Sequence, residues 1–408
     1  MSATSQLFSR ELLAGYDPDR MAKSVALIVG AGALGQNVAQ NLALSGIGEV
    51  RIVDKDMFEE HNRSRSPAYP MAKERDQFGM NKARLLAFKV KKLMTASRPV
   101  VRYAENWIEE LGAGAFKDVS IVLACVDRPS ARGFLSDQAR LHGLPFIEGG
   151  FEAADITLSC YPAVTADDVA TAPCWRCSHQ EVEVGESIFS CAYYARRAEE
   201  EGVIPAIQNA AAVLAGFQCE AAILALHAEQ ASPLQLRAFD LNIRTGQTRV
   251  VKLATDSLCP GVHHTLNAEP IKLPTTADAS VESLLLEIGK HFPDEPTIEL
   301  ASPLIWSAPC RSCKSMVAVH APDWVWRKNS LCRSCGGFFP GPVEEIDDVP
   351  MVYCQLSLSS DPKLLTASCK QVGLGPLSLV EAASATHCAV FELAGSIDEL
   401  FKSGDSDE

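Results

Sequence analysis

Residues 24–65 read SVALIVGAGALGQNVAQNLALSGIGEVRIVDKDMFEEHNRSR, and the order of their parts decides the fold. Val25 to Val29 is a short apolar, β-branched run, the pattern of a strand buried on both faces. Gly30, Gly32 and Gly35 follow at once in G-x-G-x-x-G spacing. A helix with Val38, Leu42 and Leu44 as apolar positions comes next, and a second strand, Val50 to Val53, delivers Asp54 at its carboxyl end. Glycines at such a turn let backbone N–H groups approach a phosphate, and the helix N-terminus adds a favourable dipole. A carboxylate at the place of Asp54 accepts hydrogen bonds from a ribose. Taken alone, the stretch indicates a nucleotide and favours a dinucleotide cofactor.

Outward from it, residues 24 to about 150 keep a β-α-β-α-β order, which predicts a doubly wound, mostly parallel α/β sheet. Asn81 to Thr95 reads as a basic helix, Pro99 to Tyr103 as a strand, and Val119 to Val126 as a buried strand ending at Asp127. Ser130 to His142 is a further helix, and Leu144 to Ile147 a strand. Ligands of open α/β sheets lie at the carboxyl ends of the strands, so Asp54 and Asp127 belong at one edge. Residues 155–161 read as an antiparallel strand, 204–228 as a long buried helix, and 236–241 and 248–253 as strands. Residues 1–23 read as a helical lead-in with Phe8, Leu12 and Leu13 on one face.

At 408 residues there is room for two or three domains, and 47% hydrophobic with 22% charged residues is the composition of a soluble globular protein. A net charge of -14 excludes a general nucleic-acid or anionic-membrane binder. The N-terminus lacks the basic-then-apolar pattern of a signal peptide. The 14 cysteines then point to metal ligands or thiol chemistry in a reducing cytoplasm.

Beyond Asp54 the chain places Asn62 and Arg65 in the loop leaving the strand, Lys82 at the start of the next helix, and Asp127 with Arg132 after the next apolar strand. Hydride transfer has no need of these charges, whereas adenylation with ATP does. Arg65 and Lys82 would neutralise phosphate as pyrophosphate leaves, and Asp127 would hold Mg2+. In this order the residues resemble the ThiF/MoeB/HesA superfamily of ubiquitin-activating-enzyme-like adenylating enzymes. The resemblance covers about residues 7–266 and rests on Phe8-Ser-Arg10, GAGALG, Asp54-Lys-Asp56, Asn62-Arg-Ser-Arg65, Gly79-Met-Asn-Lys82, Asp127 with Arg132, Cys174-x-x-Cys177 and Cys259-Pro. It implies a Rossmann-like ThiF-type adenylation domain with Asp54 on the ATP ribose, Asn62, Arg65 and Lys82 on phosphates, and Asp127 as the Mg2+-linked aspartate. It also implies a homodimer in which Arg10 reaches the partner subunit's nucleotide.

Cys310, Cys313, Cys332 and Cys335 form two C-R-S-C pairs, the spacing of a zinc ribbon with a structural Zn2+. A second Zn2+ site is expected from Cys174, Cys177, Cys259 and a histidine, with His263 and His264 in competition. Cys191, in a segment with Arg196 and Arg197, resembles the acyl-accepting cysteine of many relatives. The phrase from Gly373 to Gly395 resembles the terminal segment of adenylating enzymes from bacterial ubiquitin-like conjugation operons, including Bil-type antiphage systems.

The expected division is an adenylation domain over 1–265, a linker over 266–300 that carries a short amphipathic segment from Val281 to Gly289, a zinc ribbon over 301–342, a small α+β piece over 343–400 and a disordered tail over 401–408. The expected function is ATP-dependent activation of the C-terminal carboxylate of a ubiquitin-like or sulfur-carrier protein, followed by thioester formation on Cys191 and transfer to a conjugating enzyme. The rival readings are sulfur-carrier activation alone, a microcin-type peptide-adenylating enzyme, and a NAD(P)-dependent oxidoreductase or inactive scaffold.

Overall fold

The computed structural model describes residues 6–67, 79–179, 207–227, 235–266, 269–310, 313–328, 332, 335–336 and 351–404. In chain order the elements that frame the candidate site are α1 (Ser9–Leu13), β1 (Val25–Val29), α2 (Ala33–Leu44), β2 (Glu49–Val53), α3 (Lys82–Leu93), β3 (Val100–Ala104) and β4 (Ile121–Ala124). They continue with α4 (Pro129–Leu141), β5 (Phe146–Glu152), β6 (Asp155–Tyr161), α5 (Gln208–His227), β7 (Arg237–Asn242) and β8 (Thr248–Lys252).

These strands form one nine-stranded sheet in the order β15-β3-β2-β1-β4-β5-β6-β7-β8, where β15 is Lys402–Ser403. The run β3-β2-β1-β4-β5 is parallel, and β5 to β8 are antiparallel. Along β1 the side chains alternate between two cores, as a strand buried on both faces requires. Ala26 and Ile28 pack with α2, α3 and α5, while Leu27 and Val29 pack with α4 and with Leu400 and Phe401. The apolar helix α5 is long and apolar enough to cross a membrane by length and composition, but it lies against α2, β5 and β6 with Leu214, Cys219 and Gln218 buried. The expected core helix is therefore what the chain forms.

The lead-in differs from its expected face. Phe8 is buried, whereas Leu12 and Leu13 are exposed, because a five-residue helix turns them outward once Phe8 is inserted.

The division of the C-terminal third is corrected more deeply. Residues 266–300, expected as a linker, supply β9 (Ile271–Thr276), α6 (Val281–Gly289) and the first part of β10 (Thr297–Pro309). Ser280 caps α6 by accepting from the Ser283 N–H, and Val281, Leu284, Leu285 and Ile288 are buried at helical spacing. The Pro, Asp and Thr residues that suggested a linker sit in the strand ends and turns around this helix. β10 then pairs with β11 (Met316–Pro322), β12 (Met351–Leu356) and β13 (Leu379–Ala383), and β13 pairs with β14 (Cys388–Ala394), which pairs with β9. One six-stranded sheet thus spans the segments expected as linker, ribbon and α+β piece. The expected tail is also corrected in part: α7 (Ile397–Leu400) leads into β15, which adds antiparallel to β3 of the first sheet, while residues 405–408 lie outside the described ones.

Candidate active site

The glycine turn sits between β1 and α2, and packing dictates its residue types. A Cβ on Gly30, which holds φ +100°, would lie 2.3 Å from the Cys125 carbonyl oxygen, and one on Gly35 would lie 1.8 Å from the Gly30 carbonyl oxygen. A Cβ on Gly32 would meet nothing within 4 Å, so the turn opens there to a free space at the sheet edge. Because β2 and β4 both run parallel to β1, Asp54 and Asp127 come out at this same edge, as expected. Asp127 is exposed and follows half-buried Val126.

Asp54 reaches across to the turn. Its Oδ2 accepts from the Ala31 N–H at 2.6 Å and its Oδ1 from the Asp56 N–H at 2.8 Å. Burial pushes this carboxyl above the usual range, with nearby Lys82 opposing. Asp56 is the residue that sequence reasoning underrated. Burial pushes it up too, but Lys82 at 3.2 Å and Lys55 at 2.6 Å hold it below the usual range. The Asp56 carbonyl accepts the Lys82 N–H at 2.8 Å, and the Asn81 side chain donates to the Asp54 carbonyl while capping α3 through the Ala83 and Arg84 N–H groups. Lys82 is thus fixed at the first turn of α3, beside the end of β2. Spacing alone contained the hint, since Asp56 stands two residues beyond Asp54 in a chain leaving a strand.

Asn62 lies in the 3₁₀ segment Glu60–Arg65 and is buried, its Oδ1 accepting the Glu59 N–H at 2.9 Å. That bond commits it to shaping the loop that carries half-buried Arg65. The loop is tied to the glycine turn by Gln36, whose amide donates to Ser66 Oγ at 3.1 Å and to the Ala31 carbonyl at 3.2 Å. Arg132 pairs with Glu148 at 2.7 Å and donates to the Val126 carbonyl, bracing the end of β4. Arg128 forks onto Glu109 at 2.9 and 3.0 Å and stacks 3.9 Å over the Trp107 ring, which Lys55 approaches at 5.0 Å. Arg10 is exposed on α1. Cys191, with Arg196 and Arg197, lies outside the described residues.

Among the described residues, two groups of metal-ligand type are assembled. Sγ of Cys174 lies 3.7 Å from Cys177, 3.5 Å from Cys259 and 3.6 Å from His263 Nε2, which is also 3.6 Å from Cys177. Zinc with Zn–S near 2.3 Å has a tetrahedral edge of about 3.8 Å, so the donor set fits. His264 is directed elsewhere, its Nε2 3.3 Å from Glu381 on β13. In the second group Cys310 and Cys335 are 3.7 Å apart and Cys313 and Cys332 3.9 Å, with all four thiols within 4.8 Å. Four thiolates leave no open coordination position, which fits a structural ion.

Known proteins resemble this chain in sequence and in fold. The ThiF family model matches residues 8–261. The adenylyltransferase and sulfurtransferase uba4 of Aspergillus fumigatus is 32% identical over 41% of this chain, and the match spans only 33% of that protein's length. The sulfur carrier protein ThiS adenylyltransferase of Bacillus subtilis is 29% identical over 63% of this chain and 71% of its own. In fold, E. coli MccB crystallised with selenomethionine MccA superposes with a TM-score of 0.51 over 64% of this chain and 75% of that one, at 16% identity.

Proposed function

The chain belongs to the ThiF family, and on that premise we propose that it is an ATP-dependent enzyme that adenylates the C-terminal carboxylate of a ubiquitin-like protein. The observation that carries the reading is the meeting of the open glycine turn, Asp54, Lys82 with Asp56, and Asp127 at one carboxyl edge of the parallel sheet.

In the proposed step a carboxylate oxygen of the partner attacks the α-phosphorus of ATP. The bond from that phosphorus to the bridging oxygen breaks, and pyrophosphate leaves with the electron pair. The backbone N–H groups of the glycine turn cradle phosphate, Asp54 orients the ribose, and Lys82 with Arg65 offsets the growing charge. Asp127 would hold Mg2+, which supplies further charge neutralisation when bound. Arg10 would complete the site of a partner subunit in a homodimer. Cys191 would then attack the acyl carbonyl as thiolate, AMP would leave, and the resulting thioester would pass to a conjugating enzyme. The two zinc centres would be structural.

Relatives named as sulfurtransferases and as a ThiS adenylyltransferase favour a second reading, in which the partner is a sulfur-carrier protein and no conjugating enzyme follows. Partner-dependent exchange of labelled pyrophosphate into ATP tests the adenylation. Both readings fall if metal-replete wild type shows no exchange with any diglycine-ended carrier. A partner adduct that thiol reductant releases, and that Cys191→Ala abolishes, selects the first.

A further inference from the structure

The two halves of the Cys174 group come from segments far apart in the chain, yet a single carboxylate holds both. Asp137, on the C-terminal half of α4, accepts from Arg176 Nε at 2.8 Å through Oδ2 and from the Val262 N–H at 3.0 Å through Oδ1. Arg176 stands between Cys174 and Cys177, and Val262 stands between Cys259 and His263. Each carboxylate oxygen therefore grips one ligand-bearing turn. The same helix fastens the first turn again, since Ser136 Oγ accepts the Trp175 N–H at 3.1 Å and Trp175 is buried. The buried Arg140 donates to the Ala172 carbonyl just ahead of Cys174.

We propose that Asp137 is the positioning residue of this metal centre, setting the distance between its two ligand turns. The inference rests on the reading that Cys174, Cys177, Cys259 and His263 hold a metal ion. The physical reason is preorganisation. Two turns that must be brought together for each binding event lose chain freedom when the ion enters, whereas turns already tied to a rigid helix do not. Groups one bond removed from metal ligands commonly set affinity by 10- to 100-fold. Asn in place of Asp137 keeps the size and one acceptor oxygen but replaces the other with a donor that faces Arg176 or the Val262 N–H. It must release one turn.

The test is competition of the full-length protein with a chromogenic chelator, following Zn2+ at each site, together with the absorption spectrum of the Co2+-loaded protein. Asp137→Asn should weaken one of two bound equivalents by about 10- to 100-fold while the second is unchanged. Its Co2+ spectrum should keep the thiolate bands of a three-sulfur site. Asp137→Glu should recover part of the loss, and Arg176→Gln, whose turn stays fastened by the Trp175 N–H to Ser136 Oγ, should cost no more than Asp137→Asn. Affinity within twofold of wild type in Asp137→Asn overturns the inference alone, as does equal weakening of both equivalents, which would mark a general loss of fold. A wild type whose only bound ion survives Cys259→Ser overturns the metal reading and the inference with it.

Discussion

The Lys82 ammonium lies 3.2 Å from Asp56 Oδ2 while the backbone N–H of the same lysine donates to the Asp56 carbonyl at 2.8 Å. One residue thus holds both the backbone and the ammonium of the lysine at the carboxyl edge of the sheet. Lys82→Met should lower pyrophosphate exchange by roughly 100-fold or more, the scale on which removal of a charge-stabilising donor acts. Stability should change little, because Asp56 retains Lys55 at 2.6 Å. Parallel exchange and melting measurements check it, and a variant with near-native exchange would remove Lys82 from the site.

His142 gives a pH signature. Its Nε2 is enclosed with no hydrogen-bond partner among the described residues, and its ring stacks on Phe116 at 5.8 Å. Burial lowers its pKa from the ordinary 6.5 to about 4. The unfolded chain therefore takes up a proton at higher pH than the folded one. The stabilisation is full above pH 6.5 and is lost as pH falls toward and through about 4. The whole effect is about 3 kcal/mol by linkage. His142→Phe, which preserves the stack, should flatten that part of the melting temperature against pH, and an unchanged slope would assign it to other groups.

The C-terminal strand anchors the first domain. Phe401 is 2% exposed, packs in the core under β1 and β4, and lies 5.7 Å from the Arg51 guanidinium. Phe401→Ala should destabilise the domain built on the first sheet by about 3–5 kcal/mol, the usual cost of emptying such a site. Denaturant unfolding followed by a probe in residues 24–150 would report it. A loss confined to the second sheet would contradict the docking.

Metal content separates the two cysteine groups. Cys310→Ser should remove one zinc equivalent and loosen the second sheet, since Cys310 is buried with Ile305, Ala308 and Val317. Cys259→Ser should remove the other equivalent. It should also weaken ATP binding by severalfold, because α4 runs from the end of β4 to the metal turns. Elemental analysis and nucleotide titration of the two variants read both effects, and loss of both equivalents from either single variant would refute separate sites.

Periodicity and spacing carried most of the first domain. A strand buried on both faces, three glycines and an aspartate at a strand end have few architectures open to them, and Asp54 and Asp127 lie where strand polarity puts them. Local chemistry also favoured both cysteine groups, because ligand spacing reflects the size of the ion's coordination shell. The choice of His263 over His264 was not legible, as it depends on Glu381 arriving from the other sheet. The region 266–300 was misread because its turns are rich in Pro, Asp and Thr, while its short strands gain their stability only from partners up to 120 residues downstream, as in Ile271 with Phe391. Asp137 carried no motif at all. Its significance lies in two bonds to segments that approach only in the folded chain.

The pairing of Lys402 with Tyr103 also bears on how the molecule is made. The ion pair beside it, Lys402 with Glu105, closes a separation of 297 residues. At 5–20 residues per second, a ribosome needs roughly 15 to 60 s to supply the partner after β3 has emerged. Through that interval β3 is an uncovered edge strand, open to pairing with a neighbouring nascent chain. The edge of the first sheet is thus finished only after every other strand of that sheet has been made. A chain stopped before Lys402 would keep β3 as an open edge, with the aggregation hazard of any such strand.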